Sequence, residues 1–328
     1  MEECQEPIID CEELARYHDN TGRPDRLSGG VTMVPVKTPA GEFRVWTKRI
    51  GNNPRARVLI LHGGPGATHE LYEAFDSFLP AAGIEYHYYD QLGSAYSDQP
   101  DDASLWDVDR FVDEVDQVRA ALGLNRDNFI LYGQSWGGIL AIEYALRHQQ
   151  HLKGLVISNM MASVPDYCAY ARDVLAPQLP PEVYREVRAI EDAADFANPR
   201  YMELLMEHYY PVHVLRMPPE QWPEPVLRTF AHLNEAVYVP MQGQSEFGVT
   251  AGARLAHWDR KADLHRITVP TLTLGATHDT MDPGHMEWMA RQFPNGTAHR
   301  CPNGSHLSLY DDQEDYFNAL TGFIRRIA

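Results

Sequence analysis

Apolar residues along this chain recur in two patterns, a period of two that is typical of strands and a period near 3.6 that is typical of helices. Two alternating stretches, 31–37 and 42–50, flank a turn-forming segment and predict a β-hairpin. Short apolar runs then predict further strands at 57–64, 85–90, 128–133, 152–158 and 271–276. Segments of helical period lie between the first four of these runs, at 69–80, 107–122 and 136–149. The alternation predicts an α/β protein with a doubly wound, mostly parallel sheet.

The alternation of strands and helices breaks between 160 and 255, where prolines, aromatic residues and methionines cluster in helical segments. An insertion between two parts of one sheet is best interpreted as a helical cap domain, here inserted after the sixth strand and folded over the strand ends. We therefore divide the chain into an N-terminal arm (1–29), a first core part (30–159), a cap (160–255) and a second core part (256–328). The arm is polar and weakly patterned, so we expect it to be loosely held. An amphipathic helix is expected near 311–327.

The charge of the chain limits the partners it can have. It carries 46 acidic and 28 basic side chains, a formal net charge of −18, which argues against a nucleic-acid or anionic-membrane partner. No apolar run approaches the roughly 20 residues that cross a bilayer, and the first residues are acidic instead of basic and then apolar. Four scattered cysteines suit neither a disulfide framework nor a CxxC zinc site. We expect a cytoplasmic protein.

The strand at 128–133 runs directly into Gln134-Ser135-Trp136-Gly137, and a helix-forming run follows at once. This is the G-x-S-x-G pattern in its strand, turn and helix context, where a strained turn exposes the serine hydroxyl. The arrangement is that of the α/β-hydrolase fold. It predicts Ser135 as a nucleophile.

A serine nucleophile requires a base and a carboxylate that orients the base. In the α/β-hydrolase order the carboxylate follows a late strand and the histidine comes last. Asp279 follows the strand at 271–276 and is the predicted acid, with Asp282 as its nearest rival. His306 precedes the last helix and is the predicted base, with His278 as the other candidate.

The negative charge that develops on the attacked carbonyl must meet fixed N–H donors. The loop after the first core strand reads His62-Gly63-Gly64-Pro65-Gly66, the type that supplies one donor, and the residue after the nucleophile supplies the other. We therefore expect the backbone N–H groups of Gly64 and Trp136 to form the oxyanion hole. Phosphate-binding glycine loops do not follow any predicted strand. The predicted chemistry needs neither a metal nor an organic cofactor.

Four stretches together resemble the proline iminopeptidases and the related tricorn-interacting aminopeptidase. They are HGGPG, YDQLGSAYSDQP, GQSWGG and the cap-exit sequence MQGQSEF, and the likeness covers about 30–328. The resemblance implies a serine aminopeptidase in which a cap glutamate, here Glu246, binds the free α-amino group of the substrate. Some relatives carry a second carboxylate directly after the catalytic aspartate, whereas this chain has Thr280; we expect Glu207 or Glu203 to substitute for it.

The cap is rich in aromatic residues and methionines that could form an apolar pocket for a proline ring. Phe247 is the one predicted to do so, because it follows Glu246 directly. The resulting hypothesis is a serine hydrolase that removes the N-terminal residue from small peptides or amino-acid amides through an acyl-enzyme. The alternatives are an esterase or amidase acting on another small acyl compound, or a non-catalytic receptor of the same fold. Serine at the turn disfavours epoxide hydrolase or dehalogenase chemistry, which uses aspartate there.

Overall fold

An eight-stranded sheet forms the centre of residues 11–328, the part of the chain that this computed structural model describes. Its strands are β1 (Val31–Thr38), β2 (Gly41–Ile50), β3 (Arg57–Leu61), β4 (Glu85–Asp90), β5 (Phe129–Gln134), β6 (Gly154–Ser158), β7 (Thr271–Ala276) and β8 (Gly296–Cys301). They lie in the order β1-β2-β4-β3-β5-β6-β7-β8. The β1–β2 and β2–β4 pairs are antiparallel and the other neighbours are parallel. The predicted hairpin and the mostly parallel sheet are confirmed.

Helices cover the sheet and fill the insertion. The α-helices are α1 (Cys11–His18), α2 (Val108–Ala121), α3 (Trp136–His148), α4 (Val164–Tyr170), α5 (Pro181–Asp192), α6 (Pro199–His208), α7 (Glu224–Ala231), α8 (Glu235–Gln242), α9 (Pro283–Gln292), α10 (Ser308–Asp311) and α11 (Gln313–Ile327), and a 3₁₀ helix spans His69–Ser77. Helices α4 to α8 all lie between β6 and β7, so the predicted helical insertion follows the sixth strand. In the described part of the chain, every helix is too short or too polar to cross a membrane.

The sheet is buried on both faces, as its apolar strands require. Along β5, Phe129 and Leu131 belong to a core shared with α2, α3 and α9, while Ile130 and Tyr132 belong to a second core shared with α11. The second core continues into the insertion through residues such as Leu205. Alternation of side chains along each strand thus anchors helices on both sides. The insertion packs against the same core that supports the strand ends.

The strand β8 was not predicted from the sequence. Its six residues, 296–301, are mostly polar and partly exposed, and only Cys301 is fully buried. It lies at the edge of the sheet beyond β7. An edge strand does not need the apolar pattern of a central one, so periodicity gives no signal for it.

The N-terminal arm is held against the sheet where the structure describes it. Tyr17 in α1 is 3% exposed, and its hydroxyl donates a hydrogen bond to the carbonyl of Ile84 at 3.0 Å. Farther along, Arg49 pairs with Asp25 at 2.8 Å. The expectation of a loosely held arm is therefore wrong for residues 11–29, while residues 1–10 lie outside the described part.

Candidate active site

Ser135 occupies the sharp turn between β5 and α3. Its backbone has φ 54° and ψ −125°, a conformation that costs free energy for any residue with a Cβ. The flanking glycines make the turn possible because a Cβ on Gly133 would lie 2.0 Å from the carbonyl oxygen of Gly137, and one on Gly137 would lie 2.1 Å from that of Leu61. The G-x-S-x-G pattern thus reflects close backbone packing. The turn places Ser135 at the carboxyl edge of the parallel strands, where it lines a cavity.

Asp279 and His306 meet at the same edge of the sheet. Asp279 follows β7 and is completely buried, and its Oδ1 lies 2.8 Å from Nδ1 of His306. The amide of Asn159 donates to Oδ2 at 2.7 Å, and the backbone N–H of Met281 donates to Oδ1 at 3.1 Å. Because the carboxylate accepts the Nδ1 proton, Nε2 is left as the basic nitrogen of the ring. Thr280 contributes its hydroxyl at 3.0 Å from Nδ1 and no carboxylate.

Ser135 and His306 line one cavity and are linked through the residue that precedes Ser135. The side chain of Gln134 donates to the carbonyl of His306 at 3.1 Å and accepts from the hydroxyl of Tyr72 at 3.0 Å. That hydroxyl in turn accepts from the N–H of Gly63 at 3.1 Å. The network joins the loop after β3, the turn after β5 and the loop that carries His306.

The His306 ring makes its side-chain hydrogen bonds to Asp279 and Thr280, and among the described residues none joins it to the Ser135 hydroxyl. The hydrogen bond between a nucleophile and its base commonly shortens only in the complex with substrate.

Gly64 and Trp136 also line the cavity that Ser135 lines. Trp136 is the first residue of α3, so its N–H has no acceptor within the helix. Gly64 has φ +105°, and a Cβ there would lie 2.6 Å from the nitrogen of Ala67, which explains why this position is glycine. In the described residues, neither N–H donates to a backbone carbonyl in a turn, a loop or a helix cap. Two donors are therefore available beside the serine.

The cavity itself has a volume of about 490 Å³ and lies between the strand ends and the insertion. The insertion contributes its aromatic wall, namely Tyr167, Phe196, Tyr201, Tyr209, Tyr210, Phe230 and Tyr238. Tyr209 is 1% exposed, and its hydroxyl has no hydrogen-bond partner among the described residues. The wall that the insertion contributes is thus largely aromatic, and polar side chains such as Gln242, Gln244 and Glu246 interrupt it.

Glu246 brings a carboxylate into this aromatic wall. It follows α8, lines the cavity and accepts a hydrogen bond from the hydroxyl of Tyr210 at 2.8 Å. Its partial exposure is to the cavity, and burial there raises the pKa of the carboxyl. The Tyr210 hydrogen bond opposes this rise, the neighbouring carboxylate of Glu191 adds to it, and the charge of His306 opposes it. An acid in this position is poised to bind a cation.

Two residues expected near the substrate lie elsewhere. Glu207 is 67% exposed at the side chain and lies 3.7 Å from His208, and the alternative Glu203 is 62% exposed. Both face outward because the opposite face of α6 is the one that packs on the core. Phe247 does not line the cavity; its ring packs against that of Tyr209 at a centroid distance of 4.8 Å. The structure thus does not bring Glu207 or Phe247 to the cavity with Ser135 and His306.

A second carboxylate besides Glu246 lines the cavity, that of Glu235 at the start of α8. Sequence reasoning missed it, and it also missed Glu191 in α5. Its Oε1 accepts from the hydroxyls of Ser245 at 2.7 Å and Tyr201 at 2.8 Å, and that Tyr201 oxygen accepts from the N–H of Glu246 at 3.0 Å. Glu191 also pairs with Arg188 at 3.1 Å. It supports the Glu246 loop without lining the cavity. Its signal in the sequence is that of an ordinary charged helix residue.

The rival residues have other roles in the described structure. Asp282 caps α9 by accepting from the N–H of Gly284 at 2.8 Å. His278 does not line the cavity, and its backbone carbonyl lies 3.0 Å from Nδ1 of His213. Two groups of potential metal ligands, Asp116/His148/His151 and His299/Cys301/Asp315, lie outside the cavity.

The chain is similar to alpha/beta hydrolases and to proline iminopeptidases. The family model of the alpha/beta hydrolase fold matches residues 56–313. A proline iminopeptidase of Flavobacterium johnsoniae is 53% identical over 295 residues, which cover 90% of this chain and 98% of that protein. The crystal structure of a proline iminopeptidase of Mycobacterium smegmatis has a TM-score of 0.80 and 29% identity, covering 90% of this chain and 98% of that one. The crystal structure of VinJ has a TM-score of 0.83 and 30% identity, and the match covers 90% of this chain and 99% of that one.

Proposed function

Because this chain belongs to the proline iminopeptidase family of α/β-hydrolases, we propose that it is a serine aminopeptidase that removes the N-terminal residue, proline foremost, from small peptides and amino-acid amides. The observation that carries the proposal is the position of Glu246. This acid reaches from the insertion into the cavity that Ser135 and His306 line. A hydrolase that selects free N-termini needs such a charge near its nucleophile.

In the acylation step, Ser135 Oγ attacks the carbonyl carbon of the N-terminal residue while His306 Nε2 takes its proton. Asp279 holds the resulting imidazolium through Nδ1, at the 2.8 Å bond described above. The N–H groups of Gly64 and Trp136 bind the oxygen that becomes negative, where loss of one such donor typically costs about 100-fold to 1,000-fold in rate. His306 then gives its proton to the leaving amine, the C–N bond breaks, and the shortened peptide departs.

In the deacylation step, water attacks the ester carbonyl of the acyl-enzyme. His306 takes one proton from the water and returns it to Ser135 Oγ as the C–O bond to the serine breaks. The freed N-terminal amino acid leaves with a carboxylate. The residues of this cycle supply both proton transfers, so the cycle runs without a cofactor.

Specificity for a free amine follows from charge. Burying an unpaired ammonium in an aromatic cavity is costly, whereas pairing it with the Glu246 carboxylate offsets that cost. One Glu246 oxygen holds Tyr210 and the other remains for the substrate. The insertion above the cavity would exclude long or folded chains.

We propose that the substrate is a small peptide and that the protein is located in the cytoplasm. Cys168 and Cys301 are both free thiols, the state that a reducing compartment maintains. Fractionation of cells that express the native gene tests this placement.

The test of the activity is release of proline from prolyl p-nitroanilide and from a prolyl dipeptide by the purified protein, beside the Ser135→Ala variant. We expect turnover by the wild type, loss of at least about 1,000-fold in the variant, and a Ser135-dependent adduct with a fluorophosphonate probe. Comparable turnover of an N-acylated anilide would indicate an esterase or amidase instead, and absence of the adduct would indicate a receptor. Full activity of Ser135→Ala would overturn the assignment of the nucleophile.

A further inference from the structure

Gln91 lies directly after β4, in the YDQLGS stretch that the mechanism above does not use. In the sheet order β4-β3-β5, β3 separates β4 from the strand that leads to Ser135. A side chain at the end of β4 can therefore reach over the end of β3 toward the turn after β5. Gln91 is 1% exposed, so its polar atoms must find partners within the protein.

The Gln91 side chain bridges the two segments that carry the proposed oxyanion donors. Its Oε1 accepts from the indole Nε1–H of Trp136 at 2.8 Å. Its Nε2 donates to the carbonyl of His62 at 3.2 Å. The amide orientation is determined by chemistry, since the indole nitrogen can only donate and the carbonyl can only accept. One side chain thus ties the start of α3 to the glycine loop.

The Gln91 backbone acts on the same loop through the His62 ring. Its N–H donates to Nε2 of His62 at 3.1 Å, so the proton of the neutral ring is on Nδ1. Nδ1 then donates to the carbonyl of Gly63 at 2.8 Å. Burial lowers the pKa of His62 to about 4, which keeps the ring neutral at ordinary pH.

The Gly63 carbonyl belongs to the same peptide unit as the Gly64 N–H. In a planar trans peptide the C=O and N–H point in opposite directions. The hydrogen bond from His62 therefore turns the Gly64 N–H away from the ring, and Gly64 lines the cavity. Orientation of this donor depends on a chain of contacts that begins at Gln91.

We propose that Gln91 is the positioning residue of the oxyanion hole, fixing the N–H groups of Gly64 and Trp136 relative to each other. The inference rests on the proposed serine mechanism and adds a residue to it. Gln91 does not touch the substrate and acts through His62 and Trp136. Its loss would leave the Trp136 indole N–H and the His62 carbonyl buried without partners, and both segments would relax.

The experiment compares Gln91→Met, Trp136→Phe and the double variant in the full-length enzyme, with prolyl p-nitroanilide as substrate. Trp136→Phe retains the backbone donor and removes only the indole N–H, so it covers the case in which Gln91→Met does not fold. We expect kcat to fall about 10-fold to 100-fold in Gln91→Met, less than the loss of a whole donor, with KM within about threefold of wild type. We expect a loss of about 3-fold to 10-fold in Trp136→Phe.

Two further readouts separate positioning from general damage. Binding of a prolyl aldehyde, whose adduct with Ser135 places an oxyanion in the hole, should weaken by the same factor as kcat, while binding of free proline should not change. The double variant should lose little more than Gln91→Met alone, because both changes break one contact. Additive losses, or equal losses in aldehyde and proline binding, would overturn the proposal.

The matched control is Gln117→Met. Gln117 makes the same two-way amide contact at the surface, accepting from the N–H of Lys37 at 2.7 Å and donating to its carbonyl at 3.0 Å. We expect wild-type kcat in this variant. A folded Gln91→Met with kcat within twofold of wild type would contradict the inference alone, whereas full activity of Ser135→Ala would contradict the serine mechanism beneath it.

Discussion

Nδ1 of His306 lies 2.8 Å from Oδ1 of Asp279, a carboxylate with no exposed surface. The contact fixes the ring and its tautomer, and it leaves Nε2 as the basic nitrogen of a residue that lines the cavity. The amide of Asn159 holds the other oxygen of the acid at 2.7 Å, so the carboxylate cannot turn away. Orientation of the base therefore depends on one buried acid at the end of β7.

Replacing Asp279 with Asn should reduce kcat by about 10,000-fold with little change in KM, because the amide stabilises the wrong tautomer and cannot support the imidazolium. Steady-state kinetics on a prolyl anilide measures this. The control is Asp282→Asn, since asparagine also caps helices well and should leave kcat unchanged. A large loss in the control together with a small loss at Asp279 would exchange the two roles.

The pKa of Glu246, raised by burial, makes a prediction for stability. A carboxyl whose pKa is raised on folding binds its proton more tightly in the folded state, so stability falls as pH rises from the unfolded pKa through the folded one. Glu246→Gln should therefore melt at a higher temperature than wild type at pH 8. The difference should vanish below the ordinary value of 4.5. Thermal melts at several pH values test this prediction. The control is Glu207→Gln, an exposed position that we expect to melt like wild type. A lower melting temperature for Glu246→Gln than for wild type at pH 8 would contradict the prediction.

Arg228 joins the insertion to the core, and we expect its replacement to lower the free energy of unfolding. From α7 it reaches Glu70 at 2.8 Å and Glu73 at 2.5 Å, both in the 3₁₀ helix below. Arg228→Met should cost about 1 to 3 kcal/mol, because the buried Glu70 loses a charged partner. Urea denaturation measures the change. Arg172→Met, which breaks only an exposed pair with Asp173, should be neutral, and similar losses in both variants would argue against a special role for Arg228.

The tight turn at Ser135 predicts that Gly137→Ala prevents normal folding, since its Cβ would lie 2.1 Å from the Leu61 carbonyl oxygen. We expect little soluble protein. Gly322→Ala is the matched change in α11, where a Cβ meets nothing within 4 Å, and it should stabilise by about 0.5 to 1 kcal/mol. Expression yield and thermal melts report both effects. A stable, active Gly137→Ala enzyme would show that the turn is less tightly packed than described.

The sequence contains most of the information on the central strands and on the triad candidates. Buried parallel strands such as β5 need continuous apolar runs, and Ser135, Asp279 and His306 follow in an order that the fold constrains. These local signals are strong. The hairpin β1–β2 was equally visible, because its alternation reflects one buried face.

What the sequence does not reveal are contacts between distant segments. Glu191 supports Glu246 from a helix 55 residues earlier, and Gln91 bridges His62 and Trp136 across β3; neither has a local pattern that differs from a solvated or structural residue. Glu207 was expected near the substrate, yet helix orientation, which depends on packing of the whole insertion, turns it outward. The polar edge strand β8 has no apolar pattern, because its place is determined by pairing with β7.

The most direct test of the amine-binding claim is the ratio of kcat/KM for prolyl p-nitroanilide to that for its N-acetylated form, measured for wild type, Glu246→Gln and the control Glu207→Gln. We expect wild type and control to prefer the free amine strongly. Glu246→Gln should lose about 100-fold on the free amine, as loss of one partner of a buried charge pair implies, while its labelling by a small fluorophosphonate stays within about twofold. Equal turnover of the free amine by wild type and Glu246→Gln would show that Glu246 does not bind the substrate ammonium.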